Sequence, residues 1–251
     1  MVARRAPPAA APPDGQHAAT SDDARSALAR EIDARLSAYY GEPPPPRGRD
    51  EPLDELIEVV LSQHTSDINA DRAYAALRAR FPTWEAVRRA PTPAVAEAIR
   101  SGGLATIKAT RIQRILNQIL AARGELSLRF LRTLPLAEAR AFLRQLDGVG
   151  PKTAACVLLF GLQQPAMPVD THVHRVARRL GLIDQRTSAE AAHEQLERLV
   201  PPEAVYRFHV NLIRHGRQLC RAQRPHCARC PVQALCAYPA KTPAGASGPT
   251  G

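Results

Sequence analysis

Long hydrophobic runs are absent from this sequence. None of its apolar stretches approaches the roughly 18–20 residues that a membrane-spanning helix requires. The N-terminal segment, MVARRAPPAAAPPDG, is rich in alanine and proline and has no apolar stretch like that of a secretory signal. We therefore expect a cytoplasmic protein.

Cysteine is scarce and unevenly placed. The chain has 5 cysteines; four of them lie close together near the C-terminus, and Cys156 stands alone in an apolar segment. An odd count with this clustering disfavours a secreted disulfide scaffold. It fits a metal or cluster site in a reducing compartment. Cys156 is predicted to be a core residue.

Acidic residues are too few to balance the basic ones. Lys and Arg number 34 against 24 Asp and Glu, which gives a formal charge of +10. A protein this basic commonly meets a polyanion such as DNA, RNA or an anionic membrane surface. The plainer alternative is a basic protein that binds nothing specific. The hydrophobic content of 45% suffices for an ordinary core.

Strand patterns are also missing, because no segment alternates polar and apolar residues convincingly. Helical spacing recurs along the central chain, so the predicted fold class is all-α. The predicted helices include residues 67–81, 136–146, 151–162, 187–200 and 202–219. Both ends, residues 1–20 and 239–251, are rich in Ala, Pro or Gly and are predicted to be disordered tails.

The segment LDGVGPKTA places a tight turn between two apolar helices. Gly148 and Gly150 flank Val149, and glycine lets the backbone turn sharply and approach another surface. Pro151 suits the first turn of the following helix, whose N–H groups can bind a phosphate oxygen. The pattern is typical of a helix–hairpin–helix that grips the DNA backbone. An ordinary turn between helices is the alternative.

Two residues beside this turn are candidates for catalysis. Lys152 lies in the first turn after the hairpin, where the helix dipole disfavours a cation and so favours a neutral, nucleophilic amine. Asp170 precedes Thr171 in VDTH and is expected to begin a helix as its N-cap. A carboxylate held there beside an apolar pocket can also accept a proton or stabilise a sugar cation. The alternatives are a solvated or phosphate-binding lysine and a purely structural cap.

Four cysteines near the C-terminus have the spacing C-x6-C-x2-C-x5-C. They are Cys220, Cys227, Cys230 and Cys236. Four thiolates in so short a segment can hold an iron–sulfur cluster, and structural zinc is the rival. Arg221 and Arg224 lie between the first two cysteines, where they could contact DNA phosphates or remain solvated.

In this order and spacing the motifs resemble endonuclease III, of the helix–hairpin–helix DNA glycosylase superfamily. The resemblance covers about residues 53–238. It implies a catalytic lysine at Lys152, a catalytic aspartate at Asp170, and a [4Fe–4S] cluster rather than zinc on the four cysteines.

Two further assignments come from the resemblance. GGLATIKA is similar to the loop that wedges an apolar side chain into DNA, which suggests Leu104, although a packed core leucine is the alternative. In LSQHTSD, His64 stands where the family glutamine is expected and Gln63 comes one residue earlier, so either could fill the gap left by a flipped base. Asp147 occupies a position that is often proline in the family.

The resemblance implies two helical lobes flanking a DNA-binding cleft. Residues 45–165 would form a six-helix barrel with the hairpin, and residues 21–44 plus 166–238 would form the cluster-containing domain. The expected protein is a monomeric, nucleoid-associated DNA glycosylase/AP lyase that removes oxidised pyrimidines. Its expected partner is double-stranded DNA with damaged pyrimidines or abasic sites. The alternatives are a mismatch or uracil glycosylase of the same fold, and a non-catalytic DNA-binding protein.

Overall fold

The computed structural model describes residues 21–46 and 48–238, and within them it is helical without a strand. The all-α prediction is therefore confirmed. In the described part of the chain no helix combines the length and the hydrophobicity that crossing a bilayer requires. The α-helices are α1 Asp22–Tyr40, α2 Pro52–Ser62, α3 Asp67–Arg80, α4 Trp84–Arg89, α5 Thr92–Ala98, α6 Ala105–Arg123, α7 Leu136–Arg144, α8 Pro151–Cys156, α9 Thr171–Leu180, α10 Ala189–Leu199 and α11 Val205–Gln218.

Side-chain caps define several helix starts. Ser21, Ser66 and Ser188 accept hydrogen bonds from the first turns of α1, α3 and α10, as expected of N-cap serines. The predicted helix from Pro151 to about Leu162 changes character on the way, since α8 continues as a π-helical turn over Val157–Gly161. The two predicted tails lie outside the described residues.

Buried apolar residues form two separate clusters. The first core takes its side chains from α2 to α8 and the adjoining turns, between Leu53 and Ala166. The second core joins α1 to α9, α10 and α11, and packs Ile32 and Leu36 with Phe208 and Leu212. Within the described residues, the first α-helix therefore packs with the last three. The predicted domain boundaries stay a prediction.

A pair of partly buried charges ties the two cores together. Arg140 of α7 donates two hydrogen bonds from Nη2 to the Glu197 carboxylate of α10, at 2.7 and 2.8 Å. The same carboxylate accepts the Met167 N–H at 2.7 Å, in the segment that connects α8 to α9. Removing one partner of such a pair leaves an uncompensated charge. This link joins α7 of the first core to α10 of the second and to Met167, three residues before Asp170.

Candidate active site

The two glycines of the hairpin serve different purposes. Gly148 has φ +69°, and the Arg111 guanidinium fills the space that a side chain at this position would need. Gly150 has an ordinary φ of −85°, and an added Cβ would meet nothing within 4 Å. The protein itself therefore requires glycine at position 148. At position 150 the absence of a side chain leaves the surface open to an external ligand.

Lys152 is the accessible amine of this region. It lies one residue after Pro151 in the first turn of α8, a helix that has no side-chain cap, and it is exposed. The sequence contains three lysines. Of the other two, Lys108 is buried and Lys241 lies outside the described residues. Among the described lysines, Lys152 alone can reach a ligand in solution.

Asp170 is the N-cap that the sequence predicts. Its Oδ1 accepts the Val173 N–H at 2.7 Å, and the residue is partly exposed at the start of α9. The cap engages one carboxylate oxygen through this bond. Asp170 is thus an N-cap, and its second carboxylate oxygen, Oδ2, is not used by the cap.

Lys152 and Asp170 act on the same buried side chains. Burial raises the pKa of Cys156 to about 11, an effect that Lys152 opposes and Asp170 reinforces. Burial lowers the pKa of His209 to about 4, and here Asp170 opposes the shift while Lys152 adds to it. Charges act on a group in this way only when they lie near it. The amine of the first core and the carboxylate of the second therefore both lie within electrostatic range of Cys156 and His209.

Two residues next to the ends of α2 and α6 carry exposed side chains on an unusual backbone. His64, just after α2, has φ +55°, and Leu104, just before α6, has φ +50°. Leu104 is 51% exposed, which excludes the packed core leucine as its role. Left-handed backbone is costly for residues other than glycine and is concentrated at functional sites. Both side chains are presented outward from fixed turns.

Gln63 is partly buried, and its side-chain amide is hydrogen-bonded within the protein. Its Oε1 accepts a hydrogen bond from Arg111 at 2.8 Å, and its Nε2 donates to the Thr153 hydroxyl at 3.3 Å. Since Arg111 also packs on Gly148, Gln63 joins the end of α2 to the hairpin. Of the two candidates for the flipped-base gap, His64 is the one whose side chain points to solvent.

The surface around these residues is apolar and basic. Ile107 is 57% exposed in the first turn of α6, and its neighbours Arg111 and Arg114 line a shallow pocket beside the hairpin. Exposed apolar side chains beside arginines suit a surface that contacts bases and phosphates. Asp147 donates its N–H to Gln118 at 2.9 Å, a bond that proline could not make. The Val149 side chain is buried, so only its backbone can contact DNA.

The four cysteine thiols line one pocket. Cys220, Cys227, Cys230 and Cys236 share it with Arg179, His215 and Tyr238. Arg179 Nη1 lies 3.4 Å from Cys220 Sγ, and His215 Nε2 lies 3.6 Å from Cys230 Sγ. Burial raises the pKa of Cys230 to about 11, and the other three cysteines add to the shift. No group of three His, Cys, Asp or Glu side chains within residues 21–46 and 48–238 is arranged to hold a single metal ion.

Helix α9 carries the backbone of the cysteine segment. Arg175 donates to the carbonyls of Cys220 and Gly216 at 3.0 and 2.9 Å. Arg179 donates to the carbonyls of Arg221 and Ala222 at 2.7 and 3.0 Å. The helix that begins at Asp170 is therefore also the support of the four cysteines. Arg221 and Arg224 remain exposed on the outside of the segment.

Comparison with known proteins places the chain in a family. A profile described as HhH-GPD superfamily base excision DNA repair protein matches residues 57–202. Endonuclease III of Thermotoga maritima is 34% identical over 214 residues, which cover 84% of this chain and 91% of that protein. The chain belongs to the HhH-GPD superfamily. The resemblance to endonuclease III is confirmed, and the predicted class, a DNA glycosylase with lyase activity, is confirmed at the level of this superfamily.

Two other similarities extend the finding. An Arabidopsis thaliana protein, provisionally named a DNA glycosylase, is 41% identical over 165 residues; the match covers 66% of this chain but only 56% of that protein's length. A structure described as a trapped endonuclease III–DNA covalent intermediate matches with a TM-score of 0.72 and 30% identity, and covers 84% of this chain and 95% of that one. The helix–hairpin–helix fold is thus shared with a protein that has been captured on DNA.

Sequence reasoning missed several residues of this superfamily member's site. Arg111 joins Gln63 to the hairpin, and Glu55 of α2 lies near Lys152, which opposes the burial that raises the Glu55 pKa. Glu55 is paired with Arg49 at 3.2 Å. The sequence offered one signal for Glu55, which is an acidic residue at the edge of the apolar face of α2. No local pattern indicates the role of Arg111, because its partner lies 48 residues away in sequence.

Proposed function

We propose that this chain is a bifunctional DNA glycosylase and AP lyase that removes oxidised pyrimidines from duplex DNA in base excision repair. The observation that carries the proposal is Lys152, an exposed amine beside the open face of Gly150 and close to the buried groups that Asp170 also influences. A lysine in such a place can act as a nucleophile, whereas arginine, which the chain uses for most of its cations, cannot form a Schiff base.

Binding would begin with the DNA backbone. The net charge of +10 attracts duplex DNA, and the hairpin offers backbone N–H groups to a phosphate without reading sequence. The damaged nucleotide then leaves the stack, which is easiest where damage weakens pairing. Leu104 and His64 are the exposed side chains suited to occupy the space that it leaves.

The chemistry follows from an amine and a carboxylate at one sugar. The neutral Nζ of Lys152 attacks C1′, the glycosidic bond breaks, and the base departs with the bonding electron pair and acquires a proton. The amine loses a proton, which Asp170 can accept, and the sugar ring opens to give a Schiff base. Loss of a C2′ proton then expels the 3′ phosphate, which cuts the strand. Asp170 also stabilises positive charge that builds on the sugar.

The preference for oxidised pyrimidines rests on the resemblance to endonuclease III. The test is borohydride trapping on duplexes that carry thymine glycol, dihydrouracil, uracil, a G·T mismatch or an abasic site. We expect covalent adducts with the oxidised pyrimidines and the abasic site. Adducts with only uracil or G·T duplexes would replace the substrate assignment, and tight binding without any adduct would indicate a non-catalytic DNA-binding protein.

Lys152→Arg is the informative variant for this test. Arginine keeps the positive charge that a phosphate contact needs, but it cannot form the Schiff base. We expect duplex binding close to that of the unaltered protein and complete loss of the adduct. An adduct that survives Lys152→Arg would show that another amine is the nucleophile.

We further propose that Cys220, Cys227, Cys230 and Cys236 hold a [4Fe–4S] cluster. The support is a set of four thiols around one pocket, with Arg179 and His215 as N–H groups near two of the sulfurs. Hydrogen bonds to the sulfurs and exclusion of solvent are typical of such sites. The cluster has no step in the reaction above; it would hold the cysteine segment in shape.

Metal analysis tests the cofactor. We expect brown protein with about four iron atoms per chain and an equal amount of sulfide, as one cluster of this type requires. Stoichiometric zinc in colourless protein would overturn the assignment.

We also propose that the protein acts as a monomer on the DNA of a prokaryotic-type nucleoid in the cytoplasm. Sedimentation of the DNA complex tests the monomeric state, and imaging of the tagged protein tests the location.

A further inference from the structure

A buried lysine lies beneath the two DNA-facing turns. Lys108, in α6, is 1% exposed, and its Nζ donates hydrogen bonds to the carbonyl oxygens of Leu61 at 2.6 Å and Gly102 at 2.7 Å. The catalytic chemistry described above makes no use of it. Its amine is closed off from solvent, so it cannot serve as a second nucleophile.

Both carbonyl groups lie two or three residues before an exposed side chain, that of Leu104 or His64. Leu61 ends the buried part of α2, three residues before His64, and Gly102 comes two residues before Leu104. The Lys108 backbone N–H also donates to the Leu104 carbonyl at 2.9 Å. The Lys108 side chain therefore links the two segments that lead to His64 and Leu104, both of which have positive φ and exposed side chains.

The packing around Gly102 leaves this linkage little freedom. A Cβ at Gly102 would lie 3.1 Å from Ala73 Cβ and 4.0 Å from Lys108 Nζ. The turn is thus pressed between α3 and the ammonium group. A change in the length of the side chain at position 108 would be transmitted to the backbone that leads to Leu104, because closely packed interiors transmit such changes.

Stability alone does not explain a lysine at this position. A buried cation without a carboxylate partner is costly, even where the carbonyl end of a helix offsets part of the cost. Methionine would fill a similar volume without that cost. Moreover, only three of the 34 basic residues are lysines, so composition does not favour lysine here. A compact ammonium can bond two nearby carbonyls, whereas the wider arginine fork is a poor substitute.

We propose that Lys108 is a positioning residue that holds the turns of His64 and Leu104 at a fixed spacing, so that both side chains enter the duplex together. This inference rests on the proposed function, since it assumes that a nucleotide leaves the stack. Lys108 does not touch DNA. Its effect would appear only in duplex DNA, where a nucleotide must leave the stack and side chains must occupy the space that it leaves.

The experiment compares Lys108→Met with Gln113→Leu in the full chain. Gln113 lies on the same helix and likewise donates from its side chain to backbone carbonyls, those of Val87 and Ala90 at 3.0 and 2.7 Å, but away from the two turns. The readouts are borohydride trapping on duplex and on single-stranded abasic DNA, and the fluorescence of 2-aminopurine beside the abasic site in the duplex. Circular dichroism checks the fold.

For Lys108→Met we expect duplex trapping and the 2-aminopurine signal to fall about tenfold, with single-stranded trapping within about twofold of the unaltered protein. Gln113→Leu should leave trapping on both duplex and single-stranded DNA within about twofold of that of the unaltered protein. In a His64→Ala, Leu104→Ala background, adding Lys108→Met should cause little further loss, because the groups that it positions are already gone. If Lys108→Met does not fold, Lys108→Gln, which retains a donor for one carbonyl, takes its place.

If Lys108→Met reduced trapping equally on duplex and single-stranded DNA, the proposal would be overturned. The same holds if Lys108→Met reduced duplex trapping as much in the His64→Ala, Leu104→Ala background as it does in the unaltered protein. Unchanged duplex activity in folded Lys108→Met would overturn it too. Failure of the proposed function looks different: the unaltered protein would then give no adduct with any DNA. The 2-aminopurine signal would still show whether Lys108 governs the opening of the duplex.

Discussion

The two cores hold their functional segments in opposite ways. In the first core, His64 and Leu104 point outward from left-handed backbone, and the contacts that fix them lie beneath, at Lys108. In the second core, the cysteine side chains point inward, and Arg175 and Arg179 hold their segment by its carbonyls. Exposed probes can be changed without unfolding the first core, whereas changes to the cysteine segment remove part of the structure of the second.

The candidate catalytic pair is divided between these regions. Lys152 begins a helix of the first core and Asp170 caps a helix of the second. Both charges influence the pKa values of the buried Cys156 and His209, and the Arg140–Glu197 pair links the two cores. The comparison therefore predicts that changes to the exposed side chains of the first core alter activity with little effect on stability, whereas changes in the second core alter both activity and stability. Asp170 provides the test of this prediction, because a substitution there can remove the carboxylate and still keep the helix cap.

After the loss of Lys152 itself, the largest effect should come from Asp170→Asn. Asparagine is as good an N-cap as aspartate, so α9 should be retained and the melting temperature should change little. Loss of the carboxylate should slow the formation of the trapped adduct by about 100-fold, within the usual range for a group that moves a proton. Single-turnover trapping measures the rate. Asp170→Ala should show the same loss of rate together with about 1 kcal/mol of lost stability.

A near-normal rate in Asp170→Asn would confine Asp170 to its capping role. The second core would then contribute only structure, and the division between the regions would be complete. Equal rates in the Asn and Ala variants, with different stabilities, would instead show that the cap and the chemistry are separable properties of one residue.

The next effect concerns His209 and pH. Burial holds the pKa of His209 at about 4, against 6.5 for the free side chain, and Lys152 and His193 add to the shift while Asp170 opposes it. Below pH 6.5 the unfolded chain binds a proton that the folded chain does not, so stability falls as the pH drops from 6.5 towards 4. Between pH 7 and 5 His209 should cost about 2 kcal/mol of unfolding free energy.

Urea unfolding at the two pH values measures this cost, with His209→Gln as the comparison. The variant should lose correspondingly less stability over the same interval, since the other buried histidines are unchanged. Parallel pH profiles for the two proteins would show that His209 is not held neutral, and would weaken the claim that the second core couples stability to the site.

The smallest effects separate the two hairpin glycines. Gly148→Ala should cost about 1–2 kcal/mol, because its φ is positive and Arg111 occupies the space. Gly150→Ala meets nothing in the protein and should change stability by less than about 0.5 kcal/mol. Its effect should be on binding, with an affinity for duplex DNA lower by about threefold to tenfold at fixed salt. Melting curves and titrations with labelled duplex measure the two quantities.

If Gly150→Ala binds DNA as tightly as the unaltered protein, the open face of the hairpin is not where the backbone approaches. If it is as unstable as Gly148→Ala, the distinction between internal and external roles for the two glycines is wrong. Either result would remove the simplest case in which the first core changes activity alone.

Local patterns predicted the parts of the site that are encoded locally. The hairpin follows from two glycines and a proline within four residues, and the Asp170 cap follows from its position before an apolar helix. The two candidates for the flipped-base gap could not be separated from sequence, because Gln63 is engaged by Arg111 and Thr153 from distant segments. Long-range contacts of this kind leave no periodic signal.

Lys108 is an intermediate case. It lies one helical turn before Ile112 and two before Ile115, so its place on the buried face of α6 could be read from the spacing. What the spacing does not supply are the two carbonyls, one of them 47 residues away, that make a buried ammonium tolerable. The division of the chain into two cores is similar, since α1 packs against helices at the far end of the sequence.

The central claim is that Lys152, presented by the first core, reacts at a sugar that the second core also contacts. Its most direct test is to digest the borohydride-trapped adduct and identify the modified peptide by mass spectrometry. We predict that DNA is attached at Lys152 alone. Attachment at Lys241 or at the N-terminal amine would contradict the account, because the nucleophile would then not be the amine that the first core presents.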